Sequence, residues 1–544
     1  MVNPKPRKIF IGLVYFPYKK FLLEFLTTIN KRHPIDECYV LVDRLYPYVP
    51  TQADVPEGVK LSTFDAFDLE YGMYKNVKWK GILPLDEQLL NDFAECEAES
   101  MVMMERNMPV EQFYPEYAAA NAKKFNEVDK SLRINKHYAG KSLSYAERKR
   151  IYLRHLRFWN NFVENNRIDL FVWSHVPHVT YDYVIYSLAK RKHIPTVMLA
   201  QGAFLRFEKF EFLMHTDIGE QCLDVRDRLE ELRKSGIDPE QVDLSEKCLK
   251  EWERLTAELD KQTSPGFIKR YARDRNNSEL ARKKTARKTR IRHILDGTIV
   301  KKIFSWDIFD IDRWHFRIKD LNNINKLEKR LNDFYESNTS PVREERFIYA
   351  PLHMQPEITT APLAGRFVDQ LLVIQLLAEA LPPKVLIYVK ENPFQTLTTR
   401  SAAYYQDLLD IPSVRLISRK ANTYELLDKC IATATITGTA GWEGLFKQKP
   451  FIMFGSYVYQ FAPGVYPVKN LAECKEAVEA ILNGSKPTLG ELKLFMKALD
   501  MSYLDVPPGL MENKEIVKLN EKNIQKLANA FIDKYEEAIK QNSI

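Results

Sequence analysis

One pattern recurs along this chain and restricts the folds open to it: a short apolar, β-branched run followed by a stretch of helical period. Lys8 to Phe16 is such a run, "KKFLLEFLTTINKRH" is the helical pattern behind it, and "ECYVLVD" is the next apolar run. A strand covered on both faces reads as a continuous apolar run, and parallel strands need a helical crossover between them. The spacing therefore predicts βαβ units in a parallel sheet. The alternation returns with "IDLFVWS", "YDYVIYSLAKRKH" and "IPTVMLAQ", after residues 85 to 165 that read as mostly helical. It starts again at Arg346, with "RFIYAPL", "KVLIYVKENP", "VRLIS", "IATATITG" and "PFIMFG" as strands. "FVDQLLVIQLLAEAL", "AYYQDLLDI" and "TYELLDKC" are the helices between them.

At 544 residues the chain is too long for one ordinary domain. The fold class is α/β: two Rossmann-like domains facing a cleft, with a helical insertion. Residues 1–215 form the first, residues 216–342 a charged, helical and then basic insertion or bridge, and residues 343–485 the second. Residues 486–544 are terminal helices expected to pack back on the first domain. Ligands of such sheets lie beyond the carboxyl ends of the strands.

A hydrophobic content of 45% with 28% charged residues describes a soluble globular chain. The net charge of +7 is modest and gives no indication of nucleic acid. Its distribution is uneven: from Lys269 to Arg292 the cations far outnumber Asp274 and Glu279. Such a block suits a solvated helix face or loop, and equally an anionic membrane surface. The six cysteines, Cys38, Cys96, Cys222, Cys248, Cys430 and Cys474, form no CxxC pair, against a zinc ribbon or a disulfide scaffold. Reduced, cytoplasmic thiols are expected. The apolar run near the N-terminus is too short for a span and has no small-residue cleavage site, so any membrane contact is expected to be peripheral, on the inner face.

Four strand ends carry candidate chemistry. "YAPLHMQPEITTAP" releases His353, Gln355 and Glu357 into a Pro-bounded loop, which also suits a plain polar turn. "VKENPF" places Lys390 and Asn392 at a strand end, where a cation and an amide can meet a phosphate; a lysine merely reaching out to solvent fits as well. "TITGTAGWEG" passes Thr437, Gly438 and Thr439 into a short helix carrying Glu443. Small residues let a backbone approach an anion, and the hydroxyls add donors. Glu443 could accept sugar or ribose hydroxyls, or simply complement the helix dipole. In the first half, "WSHVPHVTYDY" sets His175, His178 and Asp182 just past a strand, in the vocabulary of general-base or nucleophile chemistry. No third metal ligand is obvious there, and no metal is expected. Glu208 and Glu211 in "FEKFEF" read as surface alternation, and the acidic "DIFDID", residues 307 to 312, falls in the insertion.

Together, "YAPLHMQPEITTAP", "GRFVDQLLVIQLLAEALP", "VKENPF" and "TITGTAGWEGLFKQKPFIMFG" resemble the capsular polysaccharide biosynthesis proteins that include the bacterial β-Kdo glycosyltransferases. "SHVPHVTYDYVIYSLAKRKHIPTVML" is similar to the N-terminal half of that group. The resemblance covers roughly residues 168 to 215 and 346 to 467. It implies a GT-B fold, a nucleotide-sugar donor in the second lobe, a glycan or glycolipid acceptor toward the first, and no cofactor beyond the donor substrate, a CMP-sugar being favoured. In the family pattern a His-Pro pair and a Ser/Thr-rich turn hold the CMP phosphate. The turn falls on Thr437, Gly438 and Thr439. The His-Pro pair falls on Asn392 and Pro393, a departure that removes a charge and a proton while keeping a hydrogen-bond donor. The retaining members use an acidic nucleophile in the first lobe, for which Asp182 is the candidate. The expected activity is metal-independent glycosyl transfer in surface polysaccharide assembly. A teichoic-acid-type phosphotransferase using a CDP-alcohol and a non-catalytic glycan-binding partner in capsule assembly are the alternatives.

Overall fold

The computed structural model describes residues 8–12, 19–42, 50–65, 77–82, 84–104, 144–202, 212–219, 223–257, 326–355, 357–393, 395, 400–506 and 520–541. The basic block 269–292, "DIFDID" 307–312, Glu208, Glu211 and Cys222 lie outside them.

The first sheet is built from β1 (Lys8–Gly12), β2 (Glu37–Val42), β3 (Lys60–Asp65), β4 (Leu170–Trp173), β5 (Thr196–Gln201) and β6 (Phe212–His215). Its strand order is β3-β2-β1-β4-β5-β6, parallel except for β6, which pairs antiparallel with β5. Ile9, Phe10 and Ile11 of β1 are fully buried, as a central parallel strand requires. Ile9 and Ile11 face one layer and Phe10 the other. The first layer is helix α1 (Lys19–Arg32), whose Phe21, Leu22, Phe25, Leu26 and Ile29 recur at helical spacing and are all buried. The second layer holds α2 (Ala94–Met103), α3 (Tyr145–Asn166) and α4 (Thr180–Arg191). A reciprocal cap starts α3: Ser144 N–H donates to Glu147 Oε2 (2.9 Å), and Glu147 N–H returns to Ser144 Oγ (3.3 Å).

Helices α5 (Leu223–Lys234) and α6 (Glu246–Ala257) come next, and both pack on the second sheet. That sheet contains β7 (Phe347–Pro351), β8 (Leu386–Lys390), β9 (Val414–Ile417), β10 (Ala432–Thr435), β11 (Phe451–Met453) and β12 (Val465–Pro467). Its order is β12-β11-β10-β7-β8-β9, parallel throughout. Taken in order of appearance, this is the same winding as in the first sheet. Each sheet therefore reverses its strand order once, between β1 and β4 and between β7 and β10, and such a reversal opens a crevice at the carboxyl ends. α7 (Gln370–Ala380), α8 (Ala402–Leu409) and α11 (Leu471–Leu482) cover one face of the second sheet; α9 (Thr423–Lys429), α10 (Thr439–Leu445) and α12 (Leu489–Ser502) join α5 and α6 on the other. The last described helix, α13 (Glu521–Gln541), returns to the first lobe, where Phe531 meets Phe21 and Phe25 at ring-centroid distances of 5.8 and 6.1 Å.

The carboxyl ends of the two sheets meet. Val176 and Tyr181, beyond β4, share a core cluster with Leu363, beyond β7, against which Ile358 and Tyr457 also pack. Among the described residues, no helix is long and apolar enough to cross a membrane.

Candidate active site

The second sheet's crevice lies between the ends of β7 and β10, and one contact bridges it: His353 Nε2 is 2.7 Å from Thr435 Oγ1. Thr437 N–H also donates to His353 Nε2 (3.2 Å). Since Nε2 accepts that proton, the neutral ring carries its own on Nδ1. Burial, with a smaller contribution from the Arg400 charge, pushes the His353 pKa down to about 3. The ring is thus a neutral donor at neutral pH. Its backbone is clamped: His353 N–H donates to Gln370 Oε1 (2.7 Å), and its carbonyl accepts from Arg400 Nη2 (2.7 Å) and Gln370 Nε2 (3.3 Å).

The turn that enters α10 is equally fixed. Thr437 Oγ1 donates to the Thr359 carbonyl (3.2 Å), and Tyr459 Oη donates to the Thr437 carbonyl. Gly438 caps α10 in extended backbone. A Cβ there would stand 2.9 Å from Thr435 Oγ1 and 3.3 Å from His353 Nε2, so the glycine leaves room for those two side chains to meet. Among the described residues, no protein acceptor meets the N–H of Gly438 or Thr439. The first turn of a helix leaves such donors over for water, a side chain or a ligand.

The other expected residues of this lobe support that crevice. Glu391 is fully buried, ion-paired with Arg400 and accepting from Tyr405 Oη (2.8 Å). Burial opposes the Arg400 charge, but Glu391 outweighs it and keeps the guanidinium protonated. Lys390 turns to the α9 side, where its ammonium donates to the Ala421 carbonyl (2.7 Å) and Thr423 Oγ1 (3.0 Å); burial pulls its pKa down to about 8. Asn392 N–H donates to Glu391 Oε1 (2.6 Å), and Arg419 Nη2 gathers the carbonyls of Asn392, Pro393 and Gln395 at 3.3, 2.8 and 2.9 Å. Gln355 is tied to Gln395 and Gln370. Glu357 shapes its own turn, accepting from Thr359 Oγ1 at 2.8 Å. Glu443 is buried on the far side of α10, with Oε1 4.0 Å from Arg254 Nη1; Arg254 in turn pairs with Glu251 of α6. The charged ends of Lys390 and Glu443 are therefore matched from within the protein, away from the His353 ring. Arg400, Arg419, Gln370 and Thr435 were not singled out by the strand-end motifs, because each acts across 17 to 82 positions of chain.

In the first lobe His175, His178 and Asp182 converge beyond β4, beside the other crevice. His175 Nε2 and Asp182 Oδ2 are 3.0 Å apart and buried, and Asp182 Oδ1 accepts from Val179 N–H (2.7 Å), capping α4. Burial pushes the His175 pKa down to about 3. His178, half-buried, stands edge-to-face on His175 with ring centroids 5.1 Å apart. With one oxygen on a helix cap and the other on an imidazole, Asp182 is built to orient its neighbour. The five described cysteines are buried and form no disulfide with one another.

Residues 361–482 match the family described as capsule polysaccharide biosynthesis protein. The match runs from the loop after β7 to the end of α11, so it includes the Thr437–Thr439 turn and excludes His353 and the first lobe. No curated protein matches the chain. Solved structures align over nearly the whole length at low similarity. UDP-GlcNAc 2-epimerase from Methanocaldococcus jannaschii has 10% identity and a TM-score of 0.23, over 96% of this chain and 99% of that one. The Neisseria meningitidis UDP-GlcNAc 2-epimerase bound to UDP-GlcNAc has 10% and 0.22, over 97% and 98%. A glycosyltransferase from Rickettsia africae has 8% and 0.24, over 98% and 99%. Likeness at these scores assigns neither an activity nor a substrate to this chain.

Proposed function

We propose that this chain is a GT-B glycosyltransferase of surface polysaccharide assembly, of the capsular or lipopolysaccharide type. It moves a sugar, of which Kdo is one candidate, from a nucleotide-sugar, with a CMP-sugar the favoured donor, to a glycan or glycolipid acceptor. The observation that carries this reading is the convergence, at the strand-order reversal of the second sheet, of a neutral His353 with the Thr437-Gly438-Thr439 turn, the turn alone lying within the capsule-synthesis match. The leaving phosphate would be received by His353 Nδ1–H, the N–H groups of Gly438 and Thr439 and the threonine hydroxyls, with Asn392 supplying an amide at the rim. These fixed dipoles stabilise developing charge without a metal at the leaving group. Gln355, Glu357, Lys390 and Glu443 hold this wall in place. The acceptor lies against the first lobe, where the His175–Asp182 pair supplies base or orienting chemistry.

The test is incubation with CMP-sugars, UDP-sugars and CDP-alcohols while following the released nucleotide. CMP release with glycosylated product is expected. Turnover of a CDP-alcohol alone would make the chain a phosphotransferase. Failure of every nucleotide to raise the melting temperature would make it a binding partner, since a ligand specific for the folded state must stabilise it. The basic block 269–292 is proposed to hold the enzyme on anionic membranes, checked by co-sedimentation with anionic vesicles; binding that ignores salt or lipid charge overturns this.

A further inference from the structure

The cluster beyond β4 has more order than a catalytic dyad needs. One nitrogen from each of His175 and His178 and one oxygen of Asp182 lie within 4.8 Å of one another. Each is backed by a second contact from the same short segment. Ser174 Oγ meets His175 Nδ1 (3.2 Å), the Val176 carbonyl accepts from His178 Nδ1 (2.8 Å), and Val179 N–H holds Asp182 Oδ1 (2.7 Å). Metal-bound histidines show this same arrangement: the second ring nitrogen is anchored on a protein oxygen, which fixes the tautomer and aims the first. The proton on His178 Nδ1 leaves the lone pair on Nε2 in the neutral ring. The 3.0 Å between His175 Nε2 and Asp182 Oδ2 is within roughly 0.4 Å of the spacing of two tetrahedral ligands on an ion about 2.1 Å from each.

We propose that His175, His178 and Asp182 form a divalent transition-metal site of the two-histidine, one-carboxylate type. The ion takes the place on Nε2 of the proton that His175 shares with Asp182; that proton moves to Nδ1 of the same ring, which then donates to Ser174 Oγ. His178 is the ligand that moves, its half-buried ring swinging inward on the order of an ångström. Imidazole and carboxylate donors together suit Zn2+, with Co2+, Fe2+ or Mn2+ as substitutes. Three protein ligands leave a position open, and the cluster lies at the seam where Val176 and Tyr181 meet Leu363 and Ile358 of the other lobe. The open position takes an oxygen of the acceptor, either a hydroxyl or a carboxylate of an acidic sugar. This last assignment rests on the proposed function; the metal site itself does not.

The test uses tag-free full-length protein stripped with a chelator and titrated with Co2+, following visible d–d absorption. One equivalent should bind and be displaced by Zn2+. His178→Ala, at the half-exposed ligand, should weaken binding at least 10-fold while leaving the melting temperature of the metal-free protein near wild type. A spectrum no stronger than that of hydrated Co2+, an unchanged titration in His178→Ala, or a thiolate-to-cobalt charge-transfer band each overturns the site. Thermal shift with CMP on the metal-stripped wild type separates the two proposals. A nucleotide shift without cobalt binding leaves the donor reading and removes the metal; cobalt binding without a nucleotide shift does the reverse.

Discussion

Gly441 gives the sharpest test of how the turn into α10 is built. Helix propensity alone says that Gly→Ala inside a helix stabilises by about 1 kcal/mol. The packing says the opposite. A Cβ at Gly441 would stand 2.5 Å from Phe451 Cε1 and Cζ and 2.6 Å from Cδ1. Carbon atoms rest about 3.5–4.0 Å apart, so roughly 1 Å must be opened between α10 and β11. Phe451 cannot yield: it is fully buried in β11, with Tyr459 6.1 Å away. Overpacking of this kind costs about 1–3 kcal/mol, and three simultaneous ring contacts put it at the upper end. The expected net loss is about 2 kcal/mol. Gly444, one turn on, is the internal control. Its Cβ would meet Thr433 Cγ2 at 3.2 Å and otherwise only ordinary contacts, so Gly444→Ala should stay within about 1 kcal/mol of wild type. Thermal denaturation reads the difference: at roughly 2–4 °C per kcal/mol for a lobe of this size, Gly441→Ala should melt about 4–8 °C lower. Because the shifted helix carries Thr439, the nucleotide-induced thermal shift should shrink as well. Equal melting of the two variants, or a rise in Gly441→Ala, would refute the reasoning.

Arg400→Met strands the fully buried Glu391 and should cost about 3–5 kcal/mol, while the double variant with Glu391→Gln should recover much of it; additive losses in denaturant would disprove the coupling. Burial holds His155 and His353 near a pKa of about 3 and His215 near about 4, all below the unfolded value of roughly 6.5. Between those limits the unfolded chain binds more protons, so stability is complete above about pH 6.5 and falls as pH drops toward 3, by up to about 1.4 kcal/mol per pH unit for each histidine. A melting temperature flat from pH 7 to 5 would contradict this. Glu443→Gln should lower the melting temperature by uncoupling Arg254 and raise the donor KM only modestly, whereas a loss of turnover with unchanged melting would place the carboxylate on the substrate. Phe531→Ala should destabilise the first lobe by about 3–5 kcal/mol and leave nucleotide binding in the second intact, as read by thermal shift.

The central strands of both sheets were legible as apolar runs because they are buried on two faces. The strands that the runs do not reveal, β3, β6 and β12, are all sheet edges. An edge strand has one neighbour and tolerates polar residues or proline, as in "KLSTFD" and "VYP", and β6 is only four residues long. At the site, sequence finds the residues that a strand releases into a loop, such as His353 and Thr437. It does not find what holds them, because Gln370, Arg400 and Tyr459 reach the loops from other elements. Nor does it show direction: Lys390 and Asn392 are two positions apart, yet the lysine turns to the α9 side and the asparagine stays in the loop that Arg419 gathers. Of the two glycines that opened room in the turn, one admits a histidine and the other a phenyl ring, a distinction visible only once β7 and β11 are in place.

The return of α13 to the first lobe has a consequence for the protein's birth on the ribosome. The layer that shields Phe21, Phe25 and Val40 is completed by Phe531, Ile532 and Tyr535, near the end of the chain. At roughly 5–20 residues per second, on the order of 15–65 s separate the emergence of β6 from that of α13. Throughout that interval this face of the nascent first sheet is covered by α1 alone, and the second lobe is synthesised in full before α13 emerges. The order of maturation is thus the reverse of the order of synthesis. The first lobe waits for α13, and a premature stop after the second lobe yields a folded nucleotide-side lobe joined to a first lobe without that cover, a natural substrate for chaperones and proteases.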